Sequence, residues 1–503
     1  MIALKATRIR DTCCDFYIKR NQAAVSFTAV MFAVLAQFGF PACPLSAAAP
    51  RPPNIVLIIS DDHGYTDFGF MGNAEVQTPN LDRLAAMSAQ YPNGYVTSSI
   101  CRPSLASILT GLYPHHHGIH YNHPPPGAPW LYHFDFDEYT ALRDVASHLI
   151  RSVPTIPGLL SRAGYRSLQT GKFWERSFRD AGFTDGLTRG RPHPIEDHLG
   201  LKPYHGNGDA GLKIGRSTMG PIFDFIDENE QKPFFVCYAP YLPHHPHNPP
   251  ERIRARYAAN TNALTHQQLY YANCTWFDET VGQIVGYIEK KGIAEQTLFI
   301  FVSDNGFSLN EYGQMDNRSK LSPYETGIRT PILLRWDGVV KSSVHPQICR
   351  SIDIAPTVLH AAGFLELAAD LPGISLLPSA RGERPLPDLP AFGEIYPGDA
   401  TDYGSPSKFI AYRWLRHGPY KLIVPHVHDE LPWNEYELGT ALYHVLDDPG
   451  ERQNLADQEE YREVVQQLTS TLDAWWTPGD DAGVAKPSKE MIRSSWKDAM
   501  APK

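Results

Sequence analysis

N-I-V-L-I-I-S-D-D-H-G, residues 54–64, decides how this chain folds. Its first part is an unbroken β-branched apolar run, the pattern of a strand buried on both faces of a parallel sheet rather than one with a wet face. The run stops abruptly in Asp61-Asp62-His63-Gly64. Thr78-Pro79 then signals the cap of a helix to about residue 88, with Leu81, Leu84, Ala85 and Ser88 along one face. Strand followed by helix opens a βα unit.

The same grammar recurs downstream. Residues 165–170 read as a strand running into Gly171-Lys172, residues 234–239 as one running into Y-L-P-H-H-P, and residues 297–303 as one running into Asp304-Asn305-Gly306. Helical patterns at 156–163, 222–228 and 267–290 separate them. The expected fold class is α/β, with a large, mostly parallel sheet flanked by helices. In such sheets the carboxyl ends of the strands line one edge, where ligands bind. Here each apolar strand empties at that edge into a charged or imidazole-bearing loop.

A second stretch, S-S-I-C-R-P-S-L-A-S-I-L-T-G at 98–111, places Cys101 just ahead of a short helix. Pro103 marks the start of that helix and Gly111 caps it. Cys101 then sits at the positive end of the helix dipole, among free backbone N–H groups. That suits a nucleophile working on an anionic substrate. Of the seven cysteines, Cys13, Cys14 and Cys43 lie near the amino terminus. Cys101, Cys237, Cys274 and Cys349 remain, with no C-x-x-C pairing or regular spacing, which argues against zinc sites and a disulfide framework. Cys237 in F-F-V-C-Y-A reads as strand core.

At 503 residues the chain exceeds what one hydrophobic core usually supports. A hydrophobic content of 42% and a charged content of 20% exclude disordered and fibrous classes. A formal net charge of −10 argues against nucleic acid as a partner, because no broad basic face is available. Arg8, Arg10, Lys19 and Arg20 precede an apolar run at 23–40 and the small residues Ser46-Ala47-Ala48, so residues 1–49 read as a signal peptide. The expected mature protein is exported, periplasmic or secreted, without a stable membrane span. The expected catalytic α/β domain covers 50–378, and a Pro-, Gly- and charge-rich boundary falls at 367–390. Strands at 409–415 and 420–424 and an amphipathic helix at 459–476 imply a smaller C-terminal α+β subdomain at 391–480. A polar tail follows at 481–503. Pro- and aromatic-rich insertions at 121–139 and 189–221 are expected to wall the pocket.

Asp61, Asp62, Asp304 and Asn305 offer oxygen ligands from two separate strand ends, which suits a hard divalent cation. Taken singly, such dipeptides are more often turn and cap residues. Together with Cys101 they resemble the type I, formylglycine-dependent sulfatases of the alkaline phosphatase-like superfamily. That family carries C-x-P-S-R followed by T-G, matched here by Cys101, Pro103, Ser104, Thr110 and Gly111.

The resemblance implies a sulfuric-ester hydrolase, an enzyme removing sulfate from a sulfated carbohydrate or small sulfate ester. It implies that Cys101 is oxidised to 3-oxoalanine (formylglycine) by a formylglycine-generating enzyme, and that Asp61, Asp62, Asp304 and Asn305 bind Ca2+, with Mg2+ as the alternative. The hydrated aldehyde attacks sulfur and its second hydroxyl later expels sulfate, a cycle that a plain thiol has no means to complete. Lys172 in T-G-K-F-W and Lys320 in K-L-S-P-Y-E-T-G-I-R resemble the lysines that neutralise sulfate oxygens. His244 in P-H-H-P resembles the histidine that protonates the leaving alcohol, with His245 and His247 as rivals. His115-His116-His117 resembles a supporting element, and H-G-P-Y-K-L-I with A-L-Y-H-V-L-D-D-P-G-E-R-Q-N-L-A resembles the family's carboxyl-terminal subdomain.

Two positions depart from the family pattern. Leu105 stands where the family has an arginine that braces the nucleophile, and Trp174 where G-K-x-H has its histidine. Arg102 is next to Cys101, yet on a helical turn it points elsewhere. Two other readings stand beside this one: a phosphodiester or phosphonate hydrolase on the same scaffold, since a formylglycine with one or two metals also serves phosphorus, and, motivated by Leu105 with Trp174, a catalytically degenerate protein that binds sulfated glycans.

Overall fold

The sequence of β1, Asn54–Ser60, buries every residue, and its alternation explains how. Ile55, Leu57 and Ile59 join one apolar cluster, while Val56 and Ile58 join another on the opposite face. The computed structural model describes residues 51–125, 136–188, 210–258, 265–396, 398, 400, 402–426, 439–479, 481, 484 and 486–490. The expected signal peptide, most of the insertions at 121–139 and 189–221, and most of the polar tail lie outside the described residues. Among the described residues no helix is long and apolar enough to cross a membrane.

The strands that follow are β2 (Ala89–Tyr95), β3 (Arg166–Gly171), β4 (Asp185–Gly186), β5 (Phe234–Ala239), β6 (Thr297–Ser303), β7 (Arg329–Arg335), β8 (Ser343–Val344) and β9 (Cys349–Arg350). They form a nine-stranded sheet in the order β4-β3-β5-β1-β6-β7-β2-β8, with β9 also on β2. β1 lies parallel between β5 and β6, pairing Leu57 with both Cys237 and Ile300. β3 runs parallel to β5, so four strands end at one edge. β7 is antiparallel to both β6 and β2, which makes the sheet mixed.

Helices cover both faces. α1 (Pro79–Ala86), α4 (Gly220–Glu228) and α5 (His266–Lys290) bury Leu81, Phe225 and Phe277 against one side. α2 (Cys101–Thr110), α3 (Ile156–Arg162) and α6 (Ile354–Ala362) bury Ile108, Leu160 and Val358 against the other. α1 starts where expected, with Thr78 at its N-cap and Pro79 first in the helix, but its N–H groups find a different partner. The Thr78 side chain accepts from none of the N–H groups of α1 itself. Its hydroxyl donates to Asp82 and accepts from Gly69 N. The free N–H groups of Asn80 and Leu81 donate instead to Asp278, delivered from α5 at 3.2 and 2.7 Å. A carboxylate from another helix does what a local cap usually does.

Beyond the large sheet, β10 (Ala391–Ile395), β11 (Tyr412–His417), β12 (Tyr420–Pro425) and β13 (Ala441–His444) form an antiparallel sheet in that order. α7 (Arg462–Trp475) packs Leu468 and Leu472 against Leu415, Leu422 and Leu442 on one face. On the other face, Tyr412, Trp414 and Ile423 meet Tyr95, Tyr324 and Ile328 near the large sheet. β2, β10 and β13 were not anticipated. β2 contains Pro92, Asn93 and Gly94 and a register shift, so its sequence looks like a turn.

A buried ion network joins the two sheets. Lys421 of β12, 0% exposed, reaches Glu325 at 3.3 Å and also pairs with Glu451. Tyr95 donates to Glu325 at 2.9 Å, and the Glu325 N–H donates to Glu451 at 2.7 Å. Against the desolvation of burial, Lys421 followed by Arg329 and Arg416 holds the Glu325 carboxyl below its ordinary value. Burial pushes that of Glu451 up to about 7. Lys421→Met is therefore expected to leave two buried carboxylates without their shared cation and to destabilise the protein by about 3–5 kcal/mol. Urea unfolding measures it; a change below about 1 kcal/mol would show that the network contributes little.

Candidate active site

Loops from the carboxyl ends of β1, β3, β5 and β6 meet the amino-terminal end of α2. Cys101 is the first residue of that helix, two residues earlier than Pro103 suggested, and Gly111 ends it at φ 72°. The left-handed conformation there is one that glycine adopts without a Cβ penalty. Cys101 is buried, and its Sγ lies 3.9 Å from Asp61 Oδ1.

Both expected lysines converge on that sulfur. Lys172 Nζ is 3.1 Å from Cys101 Sγ and donates to both oxygens of Asp61 at 2.8 Å. Lys320 Nζ is also 3.1 Å from Sγ and donates to Asp62 at 2.7 and 2.9 Å. Lys172 is brought in by a close approach at the end of β3. Gly171 has φ 75°, and a Cβ there would stand 1.9 Å from Ala239 O. Despite desolvation, Asp61 holds the Lys172 ammonium well above its ordinary pKa, and Asp62 does the same for Lys320. Burial pushes the Cys101 thiol up to about 12, against the pull of the two lysines.

The carboxylates form a tight group. Asp62 adopts a left-handed backbone, φ 58°, and its N–H donates to Asp304 Oδ1 at 3.1 Å. Asp304 Oδ1 also accepts from Asn305 N at 2.7 Å, and Asn305 Nδ2 donates to Asp62 Oδ1 at 2.8 Å. Desolvation and then the Asp61 charge push the Asp304 carboxyl well up. Asp61, Asp62 and Cys101 each offer a ligand atom, all within 4.8 Å of one another. Asp304 Oδ2 and Asn305 Oδ1 are buried and accept no hydrogen bond. Two orphaned oxygens beside three carboxylates are costly unless a cation takes them up, so the donor set fits a hard divalent ion.

The loop after β5 delivers His244. Its Nε2 lies 3.3 Å from Asp62 Oδ2, and its Nδ1 lies 2.8 Å from His245 O. A carbonyl accepts only, so Nδ1 carries a proton and Nε2 is the nitrogen that exchanges one. His245 is exposed, and its ring stacks on that of His244 at 4.3 Å. His247 is half-buried against Tyr270 and Phe307. Arg216 fastens the loop by donating to Tyr241 O, His244 O and Asn248 Oδ1 at 2.8, 2.8 and 2.7 Å. Asn273 of α5 donates to Pro243 O and Pro246 O. Neither residue carries a local motif, so the sequence reading missed both.

The two departures from the family pattern lie together in one apolar cluster. Leu105 is 9% and Trp174 5% exposed. The Trp174 ring is 5.6 Å from Lys172 Nζ and meets His123 edge-on at 5.7 Å. Arg102 turns away from the pocket to Glu175. Of the histidine run, His117 contacts Ser107 of α2 at 3.1 Å and His115 pairs with Glu394 of β10 at 2.5 Å.

The sulfatase family model matches residues 53–364, more than half of the chain. A second, described as N-sulphoglucosamine sulphohydrolase, C-terminal, matches residues 310–476. N-acetylgalactosamine-6-sulfatase of Canis lupus familiaris is 27% identical over 486 residues, covering 85% of this chain and 86% of that protein. N-acetylglucosamine-6-O-sulfatase of Bacteroides thetaiotaomicron is 23% identical, with 84% and 86% covered. The solved structure of BT4656 in complex with its substrate D-glucosamine-2-N,6-O-disulfate superposes with a TM-score of 0.65 at 22% identity, covering 84% of this chain and 97% of that one. The mostly parallel sheet edge, the convergent carboxylates and lysines at Cys101 and the match over 53–364 have one conclusion: the chain belongs to the sulfatase family of the alkaline phosphatase-like superfamily and is a sulfuric ester hydrolase.

Proposed function

We propose that this protein is an exported hydrolase that removes sulfate from a sulfated carbohydrate, with Cys101, converted to formylglycine by a formylglycine-generating enzyme, as its nucleophile. The observation that carries the reading is the pair of ammonium groups, Lys172 and Lys320, each 3.1 Å from Cys101 Sγ. The carbohydrate substrate class is supported by relatives that are sulfatases of aminosugars. Asp61, Asp62, Asp304 and Asn305 would hold the cation, Ca2+ or alternatively Mg2+. Bound there, it would supply positive charge that favours the ionised nucleophile and polarises a sulfate oxygen.

The chain's own groups do the rest. Lys172 and Lys320 flank the attacking atom and neutralise the sulfate oxygens. His244 gives a proton from Nε2 to the leaving oxygen, since Nδ1–H stays on His245 O. Desolvation within the pocket strengthens each of these contacts. Residues 50–378 are assigned to the catalytic domain and 391–480 to a C-terminal subdomain.

Turnover of sulfated monosaccharides compared with phosphodiesters and phosphonates tests the reading, together with the mass of the Cys101 peptide from the native host. Sulfate release with an aldehyde at Cys101 is the expected result. A preference for phosphodiesters, or a plain thiol in active protein, would overturn it.

A further inference from the structure

Behind Cys101 lies a buried pair of opposite charges. Arg102, the next residue of α2, donates from Nε and Nη2 to the two oxygens of Glu175, both at 2.9 Å. The two side chains are 2% and 6% exposed. Glu175 stands three residues beyond Lys172, so the pair ties the helix that carries Cys101 to the segment that carries Lys172. We propose that Arg102 and Glu175 are a positioning pair that sets Lys172 against Cys101. The inference rests on the roles proposed above for those two residues.

Four observations support it. The Lys172 segment is anchored at its near end by the Lys172 N–H, which donates to Ala239 O at 2.6 Å, and Glu175 is its far anchor. Arg143 reinforces that far anchor by donating to Glu175 O at 3.1 Å and to Trp174 O. On the helix side, the Arg102 N–H donates to Asn122 Oδ1 at 2.9 Å, and its guanidinium lies 5.0 Å from the centre of the Tyr121 ring. Between the anchors is a cavity of about 20 Å³, lined by Leu105, Leu109, Phe173 and Trp174, in which Arg102, Glu175 and Lys172 are the charged lining residues. An apolar wall slides easily, whereas a bidentate guanidinium–carboxylate pair fixes both distance and angle. A buried ion pair is also weak as a source of stability, because apolar residues of similar size serve as well. Geometry is the better reason for keeping it here.

That last point makes the test selective. Arg102→Met with Glu175→Leu removes both charges together, leaving neither one orphaned. The double variant is expected to keep its melting temperature within a few degrees of wild type. Per mole of formylglycine, its kcat is expected to fall by on the order of 10²-fold with KM within about twofold. In the unconverted Cys101 protein, amide exchange over residues 171–176 is expected to rise by about tenfold while that of β1 and β6 stays unchanged. Arg102→Lys, which keeps the charge without the fork, is expected to retain an intermediate kcat. Glu175→Gln leaves residues 101–111 untouched, so a loss of kcat at full conversion separates positioning in the folded protein from recognition of the cysteine segment during maturation. Wild-type kcat in the double variant, or unchanged exchange over 171–176, would overturn the proposal. Failure of the wild-type protein to release sulfate would instead overturn the functional reading on which it rests.

Discussion

Cys101→Ala is expected to lower kcat by on the order of 10⁴-fold or more, the scale seen when a covalent nucleophile is removed. The fold should survive. Lys172 and Lys320 remain paired with Asp61 and Asp62 at 2.7–2.9 Å, so the substitution leaves no buried ammonium without a partner. The loss of one sulfur from a buried site costs about 1 kcal/mol or less in such a setting, because alanine is compatible with the first turn of a helix. Measured sulfate release, with circular dichroism and thermal melting on the same sample, checks both halves. Turnover within tenfold of wild type would remove Cys101 from the mechanism, whatever the state of its modification.

Asp304→Ala is expected to abolish tight cation binding and activity together. The substitution deletes the orphaned Oδ2 and also the Oδ1 that accepts from the N–H groups of Asp62 and Asn305. Asp62, with φ 58°, then loses a contact that holds its strained backbone, so a second oxygen ligand is displaced with the first. A fall of at least about 10³-fold in kcat is expected, together with cation content below detection by elemental analysis. Asp304→Asn keeps an acceptor for the two N–H groups while removing the charge, and should fall between the variant and wild type. Hydrolysis by Asp304→Ala that is unaffected by chelators would refute the site.

Much of the fold was legible because apolar strands announce themselves. β1, β5 and β6 have the boundaries that their hydrophobic runs suggest, since a strand buried on both faces has no polar position to blur its ends. β2 was not legible, because Pro92-Asn93-Gly94 reads as a turn and only its pairing with β7 makes it a strand. The partner of the α1 cap was hidden for a similar reason: Thr78-Pro79 correctly marks where the helix begins, but Asp278, which accepts from its N–H groups, arrives from about two hundred residues downstream. The residues singled out around Cys101 do come together in space, although their roles rest on the experiments above.

The sequence alone determined the α/β class, the edge at which charged loops gather and the family of the chain, because each depends on residue type and spacing over short stretches. Tertiary structure alone decided that Lys172 and Lys320 approach Cys101 from two sides, that Lys421 joins Glu325 and Glu451 between the sheets, and that Arg102 turns to Glu175. Those contacts link residues 30 to 219 positions apart. The energy of a buried charge depends on which partner the fold brings to it, and periodicity along a chain carries no information about that partner.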